Sequence, residues 1–343
     1  MEQKFKELLE KSNKILVTSH ISPDPDALCS ALLVLQTLKL NHPDKNVRLV
    51  LEEAPNRELN FLQGYERIEF KKIIDVLNEL QPDLLIMVDA NRYDRVSRQE
   101  GEQIKQFIKN NGIKTVIIDH HEPHDKDETD GFINEGYPAS AQQVYETLFN
   151  GLRLKKPEGY ANTAMLGLLT DTGRFKYKNP RHRETFALVS DLLDAGADIE
   201  ALENQLGVHT KQELMALAHL IHNMSSKGDY NYSFFSDDFI SSSAEENVAM
   251  NDLKSASELF VDQFIRSTAP NKWGFVVGLD PLSGPEIYSI GLRAQGGGRD
   301  VSLIAKALGG GGHKPAAGAR FKASSLDDAL ARVFSAIEKT PAS

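Results

Sequence analysis

Short apolar runs alternate with longer amphipathic stretches over the first half of the chain. Ile15 to Thr18, Leu84 to Val88 and Thr115 to Ile118 have the length and continuity of buried strands, and Arg48 to Leu51 adds another short one. Between them the period turns helical. Leu28, Leu32, Leu35 and Leu38 fall near one face, Lys71 to Leu80 and Gly101 to Asn110 read as helices, and Met1 to Lys6 opens a charged amphipathic helix. This alternation predicts a mostly parallel sheet with helices on both faces. From Ala139 the pattern is helical, over 140–150, 160–170 and 183–194. Asp198 to Met224 is rich in Leu, Ala and Glu, without a strand signal, and reads as a helical connector. Strand patterns return at Tyr230 to Phe235, Trp273 to Leu279 and Glu286 to Ala294, with helices near 252–267, 301–308 and 325–337. The predicted organisation is α/β throughout: a parallel-sheet domain over 1–190, a helical linker over 191–226 and a smaller α/β domain over 227–343.

Composition narrows the setting. The only cysteine among 343 residues is Cys29, so disulfide frameworks and Cys-rich zinc sites are excluded and a reducing, cytoplasmic setting is expected. No run is long enough to span a bilayer, and the charged N-terminus lacks the apolar core of a signal peptide. A formal net charge of -10 argues against long nucleic acid as the main partner, but not against a small phosphate-bearing one.

The chemistry gathers at strand ends. His20-Ile21-Ser22-Pro23-Asp24-Pro25-Asp26, Asp89 and Asp119-His120-His121 each follow a predicted strand, and Asp171 ends an apolar helical run in Thr170-Asp171-Thr172-Gly173. Ligands of open α/β sheets bind outside the carboxyl ends of the strands. Buried carboxylates and imidazoles at one such crevice need a cation, and this set suits Mn²⁺ or a similar ion, with donors enough for two. Pro23 and Pro25 predict a stiff, extended loop that sends Asp24 and Asp26 the same way. The plainer alternative makes Asp26 a helix cap and Asp24 a turn residue. His120 and His121, adjacent at a strand end, are expected to point apart and take different roles, with Asp119 orienting an imidazole. Glu122, His124, Asp125, Asp127 and Glu128 read as a solvated loop, and Gly173 as a helix stop.

Further on, Gly309 to Gly312 can expose backbone N–H groups to a phosphate, with His313 and Lys314 directly after and Arg293 at a strand end. Gly296 to Gly298 reads as flexible linker. Arg95, Arg174, Phe175 and Lys176 are weaker candidates for the same crevice.

In this order, His-x-x-x-Asp-x-Asp, a strand-terminal Asp, Asp-His-His and a helical Thr-Asp-Thr-Gly resemble the DHH phosphoesterase superfamily. Ile290-Gly291-Leu292-Arg293 and Gly309 to Gly318 resemble the glycine-rich GGGH motif of its associated C-terminal domain. The length and the first motif look most like bacterial nanoRNA phosphodiesterases, which include 3′-phosphoadenosine 5′-phosphate (pAp) phosphatases. The resemblance implies two Mn²⁺ ions, with Mg²⁺ or Co²⁺ as substitutes. His20, Asp24 and Asp89 would hold one, and Asp26, Asp89, His120 and Asp171 the other. His121 would contact the scissile phosphate and Asp119 would orient the site. Arg293, Gly310, Gly311, Gly312, His313 and Lys314 would bind a short RNA or dinucleotide, so that water activated by two metals cleaves di- to pentanucleotides to mononucleotides. The family's usual glycine is replaced by Cys29, read as a small packed residue. A cyclic di-AMP or linear dinucleotide phosphodiesterase stays open as the alternative, as do monomer and homodimer. A family II pyrophosphatase would lack the C-terminal motif, a RecJ-like exonuclease would be longer, and a non-catalytic nucleotide sensor would lack a ligand.

Overall fold

The computed structural model describes residues 2–55, 58–97, 99–121, 129–243, 248–280, 283–296 and 298–341. The chain divides into two compact units, Met1–Gly207 and Val208–Ser343.

The first unit is built on a sheet of β1 (Lys14–Thr18), β2 (Asn46–Leu51), β3 (Ile68–Phe70), β4 (Leu84–Val88), β5 (Lys114–Ile118) and β6 (Gly131–Ile133). Its spatial order is β3-β2-β1-β4-β5-β6, and every pairing is parallel. The chain runs outward from β1 to β3, then returns to lay β4 beside β1. The order therefore reverses between β1 and β4, the point where α/β sheets open a crevice. Alternate strand residues serve two cores. Ile15, Val17, Ile86, Val88, Val116 and Ile118 join one cluster, while Leu16, Leu85, Met87 and Ile117 join that on the other face. This two-sided burial explains the unbroken apolar runs. Helix Pro25–Asn41 is buried without a break from Asp26 to Leu38, because helix Tyr160–Asp171 and helix Ser140–Tyr145 pack on it.

The second unit carries β7 (Ser225–Lys227), β8 (Tyr230–Phe234), β9 (Trp273–Leu279), β10 (Ile287–Ala294), β11 (Gly311–His313) and β12 (Ala316–Lys322), in the order β11-β12-β10-β9-β8-β7. Its pairings are antiparallel except β8 with β9. Phe275, Val277, Ile290 and Leu292 pack beneath helices Val301–Ala307 and Leu326–Lys339. Val276 faces the opposite core, with Leu217, Leu220 and Phe260.

Several expectations need correction. Residues 191–226 do not form a separate connector. They break after Gly207, and Leu202 and Leu206 pack in the first unit while Ala216 and Leu220 pack in the second. The helices foreseen at 140–150 and 252–267 are α-helical only to Tyr145 and Phe260, each continuing as a π-helical turn. Strands β3, β6, β7, β11 and β12 were not foreseen. β3, β6 and β7 are too short for a period to show, and β11 and β12 are rich in Gly and Ala, which carry little strand preference. Among the described residues, no helix is long and apolar enough to cross a membrane.

Arg48 on β2 ties this sheet edge together. Its Nε and Nη2 donate to both oxygens of Glu69 on β3, at 2.7 and 2.6 Å, and its Nη1 donates to Glu79 at 3.0 Å. The Arg48 hydrogen bonds pull the Glu69 carboxyl from its ordinary 4.5 down to about 2. A depressed carboxyl pKa stabilises the fold above its unfolded value, and that stability is lost as pH falls through the folded one. Arg48→Met should therefore cost about 1 kcal/mol near neutral pH. In urea unfolding the gap between parent and variant should close as pH falls from about 4.5 to about 2. A gap independent of pH would assign the loss to packing instead.

Candidate metal centre

The loop after β1 is held to its neighbour. Ser19 Oγ donates to the Val88 carbonyl at 2.7 Å, and Ile21 N–H donates to the Arg95 carbonyl at 2.7 Å. His20 Nδ1 lies 2.8 Å from the Ile21 carbonyl, so it carries the proton and leaves the Nε2 lone pair available to a metal. The helix begins at Pro25, so Asp24 and Asp26 do not share an extended strand. Asp24 is the cap, accepting from Ala27 N–H at 3.0 Å, while Asp26 is buried in the first turn. The capping role suggested for Asp26 thus belongs to Asp24. Asp26 instead accepts backbone N–H bonds from Ser140 at 2.7 Å and Ala141 at 2.9 Å.

Asp89 leaves β4 in a left-handed conformation, φ 50°, which Asp tolerates better than most residues. Its two oxygens face different groups. Oδ2 is 3.4 Å from His20 Nε2, whereas Oδ1 is 3.5 Å from His120 Nε2 and 3.4 Å from His121 Nδ1. His120 Nε2 also lies 3.5 Å from Asp171 Oδ2. The two imidazoles do not point apart as expected. Their rings meet edge to face at 4.2 Å and share Asp89 Oδ1, while Asp171 faces only His120 and Asp119 bonds only His121. His121 Nδ1 is bound to Asp119 Oδ1 at 2.7 Å, which orients the ring. Asp119 Oδ2 is buried without a hydrogen-bond partner among the described residues. Asp171 ends its helix and Gly173, φ 58°, stops it.

Three overlapping donor groups result. His20, Asp24 and Asp89 offer atoms within 4.8 Å of one another, and so do Asp26, His120 and Asp171, and Asp89, Asp119, His120 and His121. Electrostatics fit the same purpose. Burial, then the neighbouring carboxylates, push Asp26 and Asp171 well above the carboxylate range. Burial lowers His120 and keeps it in the neutral form a metal needs. Burial opposes charge on His121 too, but the Asp119 hydrogen bond and the charges of Asp89, Asp119 and Asp171 prevail and raise it to about 9. Buried carboxylates that repel one another, together with an orphaned carboxylate oxygen, make this donor set a fit for divalent cations. Cys29 is buried and its thiol is pushed well up by burial, as suits a packed residue.

The sequence reading missed Ser140. Fully buried, it donates its backbone N–H to Asp26 and its hydroxyl to Asp89 at 2.8 Å, joining the two acids. A serine in Ala139-Ser140-Ala141 at a helix start carries an N-cap signal and nothing more.

In the second unit, Arg293 sits near the end of β10 and its Nε donates to Asp262 at 2.6 Å. Gly309 ends helix Val301–Ala307 at φ 82°, and a side chain at Gly310 would strike the Gly318 carbonyl at 2.2 Å. Gly311, Gly312 and His313 form β11 on the sheet edge, and Lys314 opens the turn to β12. Gly312 and His313 are exposed. Of the weaker candidates, Arg174 is taken up by Glu203 at 3.0 Å, and Arg95 is exposed. Glu122, His124, Asp125, Asp127, Glu128 and Gly297 lie outside the described residues.

Residues 14–170 match the N-terminal domain of the DHH family, and residues 239–339 match the DHHA1 domain. The chain belongs to the DHH family of phosphoesterases. This DHH chain is 25% identical to the bifunctional oligoribonuclease and PAP phosphatase NrnA of Mycoplasma genitalium, over 91% of its own length and 89% of that protein's. It is 23% identical to the cyclic-di-AMP phosphodiesterase PdeA of Listeria monocytogenes, over 98% of its own length but 49% of that protein's. An exopolyphosphatase-related protein of Bacteroides fragilis shares its fold, with a TM-score of 0.82 at 23% identity, covering 98% of this chain and 95% of that one.

Two outcomes are expected of this DHH centre. Mn²⁺ in about 100-fold excess over its Kd should stabilise the protein by about 2.7 kcal/mol per site, seen as a rise in the thermal midpoint that EDTA reverses. Asp89→Asn should lose most of that rise, and an unmoved midpoint in the parent would refute the site. Ser140→Ala should weaken Mn²⁺ binding by about tenfold in calorimetry, with Ser140→Thr recovering part of it. An unchanged affinity would leave Ser140 a purely structural residue.

Proposed function

We propose that this chain hydrolyses the phosphodiester bonds of RNA fragments of about two to five nucleotides to mononucleotides, removes phosphate from pAp, and uses two divalent cations, Mn²⁺ by preference. The observation that carries the reading is Asp89, whose two oxygens face two separate donor groups. A carboxylate so placed could serve both donor groups if each held a cation. His20, Asp24 and Asp89 would hold one cation, and Asp26, Asp89, His120 and Asp171 the other. Bound there, the cations supply Lewis acidity and a water of lowered pKa.

The chain's own residues do the rest. The Ile21 carbonyl fixes the tautomer of His20, and Ser140 fixes the distance between Asp26 and Asp89. Asp119 holds the ring of His121, which as an imidazolium donates to a non-bridging oxygen of the scissile phosphate. In the second unit, Gly311 and Gly312, with Arg293, His313 and Lys314, would bind a nucleotide phosphate, while the Gly310 N–H is already taken by the Ala305 carbonyl at 2.8 Å. Asp262 keeps the Arg293 guanidinium in place for this. Acting on RNA fragments, the enzyme would work in the cytoplasm.

A second reading, a phosphodiesterase of cyclic di-AMP or its linear form, is favoured by the likeness to the Listeria protein over 98% of this chain. One panel separates them: 5′-phosphorylated RNAs of two to twenty-four nucleotides, pAp, cyclic di-AMP, linear pApA and pyrophosphate, each with Mn²⁺. The expected result is turnover of two- to five-mers at least about tenfold faster than of the longest RNA or the cyclic dinucleotide. His121→Ala should lower kcat on the dinucleotide by about 10²-fold. Faster opening of the cyclic compound than of any RNA would establish the second reading.

A further inference from the structure

One segment of the first unit stands against the charge of the rest. Arg174-Phe175-Lys176-Tyr177-Lys178-Asn179-Pro180-Arg181-His182-Arg183 follows Asp171 almost directly and holds no acidic residue, in a chain of net charge -10. It is folded, not trailing. Arg174 N–H returns to the Leu169 carbonyl at 2.7 Å, and Tyr177 N–H to that of Thr172 at 3.1 Å. Its far end is anchored too. Thr185 Oγ1 donates to Gln142 on the Ser140–Tyr145 helix at 2.9 Å, and the Arg181 guanidinium lies over the Tyr137 ring at 4.4 Å. The segment is thus fixed between the helix end that carries Asp171 and the helix start that carries Ser140.

Two of its cations are already used, Arg174 by Glu203 and Arg181 by Tyr137. Lys176, Lys178 and Arg183 are exposed, and among the described residues no carboxylate lies within ion-pair distance of them. Aromatic rings stand among these charges at unusual exposure. Tyr177 is 40% exposed, and Phe186 is 49% exposed. Phe186 packs on Phe175 at 5.1 Å and on His182 at 6.0 Å, which holds its ring in place. Cations that track a backbone and exposed rings that stack on bases form together the surface that single-stranded nucleic acid requires.

We propose that this surface is a nucleotide subsite of the first unit: Lys176, Lys178 and Arg183 bind phosphates of single-stranded RNA beyond the one being cleaved, and Phe186 and Tyr177 stack on its bases. The inference rests on the oligoribonuclease reading for its ligand. It adds that the first unit itself grips substrate, independently of the glycine edge and Arg293. A dinucleotide makes little use of the subsite, and a five-mer fills it.

The test is calorimetric binding of a two- and a five-nucleotide RNA in EDTA, where hydrolysis plays no part. The unmodified protein is compared with Lys176→Gln/Lys178→Gln/Arg183→Gln, with Phe186→Ala, and with Lys4→Gln/Lys6→Gln/Lys11→Gln, which removes equal charge from the exposed face of the first helix. The expected result is a fall of about tenfold or more in five-mer affinity for the first triple variant and about fivefold for Phe186→Ala, consistent with loss of one stacked base. The dinucleotide should change by less than twofold, and the control triple variant should match the parent. The first triple variant should also bind the five-mer with a shallower salt dependence. Equal loss in both triple variants, or equal five-mer affinity in variant and parent, would overturn the subsite. Failure of the parent to cleave any RNA would overturn the oligoribonuclease reading alone, since binding is read separately.

Discussion

Everything in the first unit turns on burying like charges at one point. Asp26, Asp89 and Asp119 are carboxylates with almost no exposure, brought within a few bonds' reach of one another. Left alone they would repel, and burial makes the repulsion worse. The fold answers with directed hydrogen bonds: the start of the Ser140 helix on Asp26, the Ser140 hydroxyl on Asp89, and His121 on Asp119. It leaves the remaining lone pairs for cations. Strand order puts this cluster at the reversal between β1 and β4, where two loops leave in opposite senses and room exists for a ligand.

The second unit solves a different problem with backbone alone. Its glycines are required first by packing, since Gly310 and Gly312 lie against β12 where no side chain fits. The same lack of side chains leaves the edge strand's outer N–H groups open. A glycine run of this kind therefore differs from a linker, because packing against β12 requires it.

The sequence made the metal donors legible because they sit at ends of unbroken apolar runs, a position where acids and histidines have no packing role. His20 and Asp89 were readable for that reason, and the same position marked Asp119, which orients His121. The finer geometry was not. Local rules give Asp24 and Asp26 an extended loop, but the helix starts one proline earlier, and capping passes from one acid to the other. Ser140 could not be found, because its importance lies in contacts 114 and 51 residues away in sequence. The short edge strands were hidden by length and composition, and the break at Gly207 by a helical pattern that continues on either side of it. Periodicity reports burial on one face, and it is silent on which unit a helix joins.

The left-handed backbone at Asp89 has a bearing on how this family is dissected. At φ 50° a residue with an ordinary β-carbon is strained, and asparagine and glycine are the tolerant replacements. Alanine at this position would disturb the chain path between β4 and the next helix as well as delete a carboxylate. A loss of activity in such a mutant confounds two causes. Only the asparagine variant, isosteric and at ease in this conformation, isolates the contribution of the negative charge.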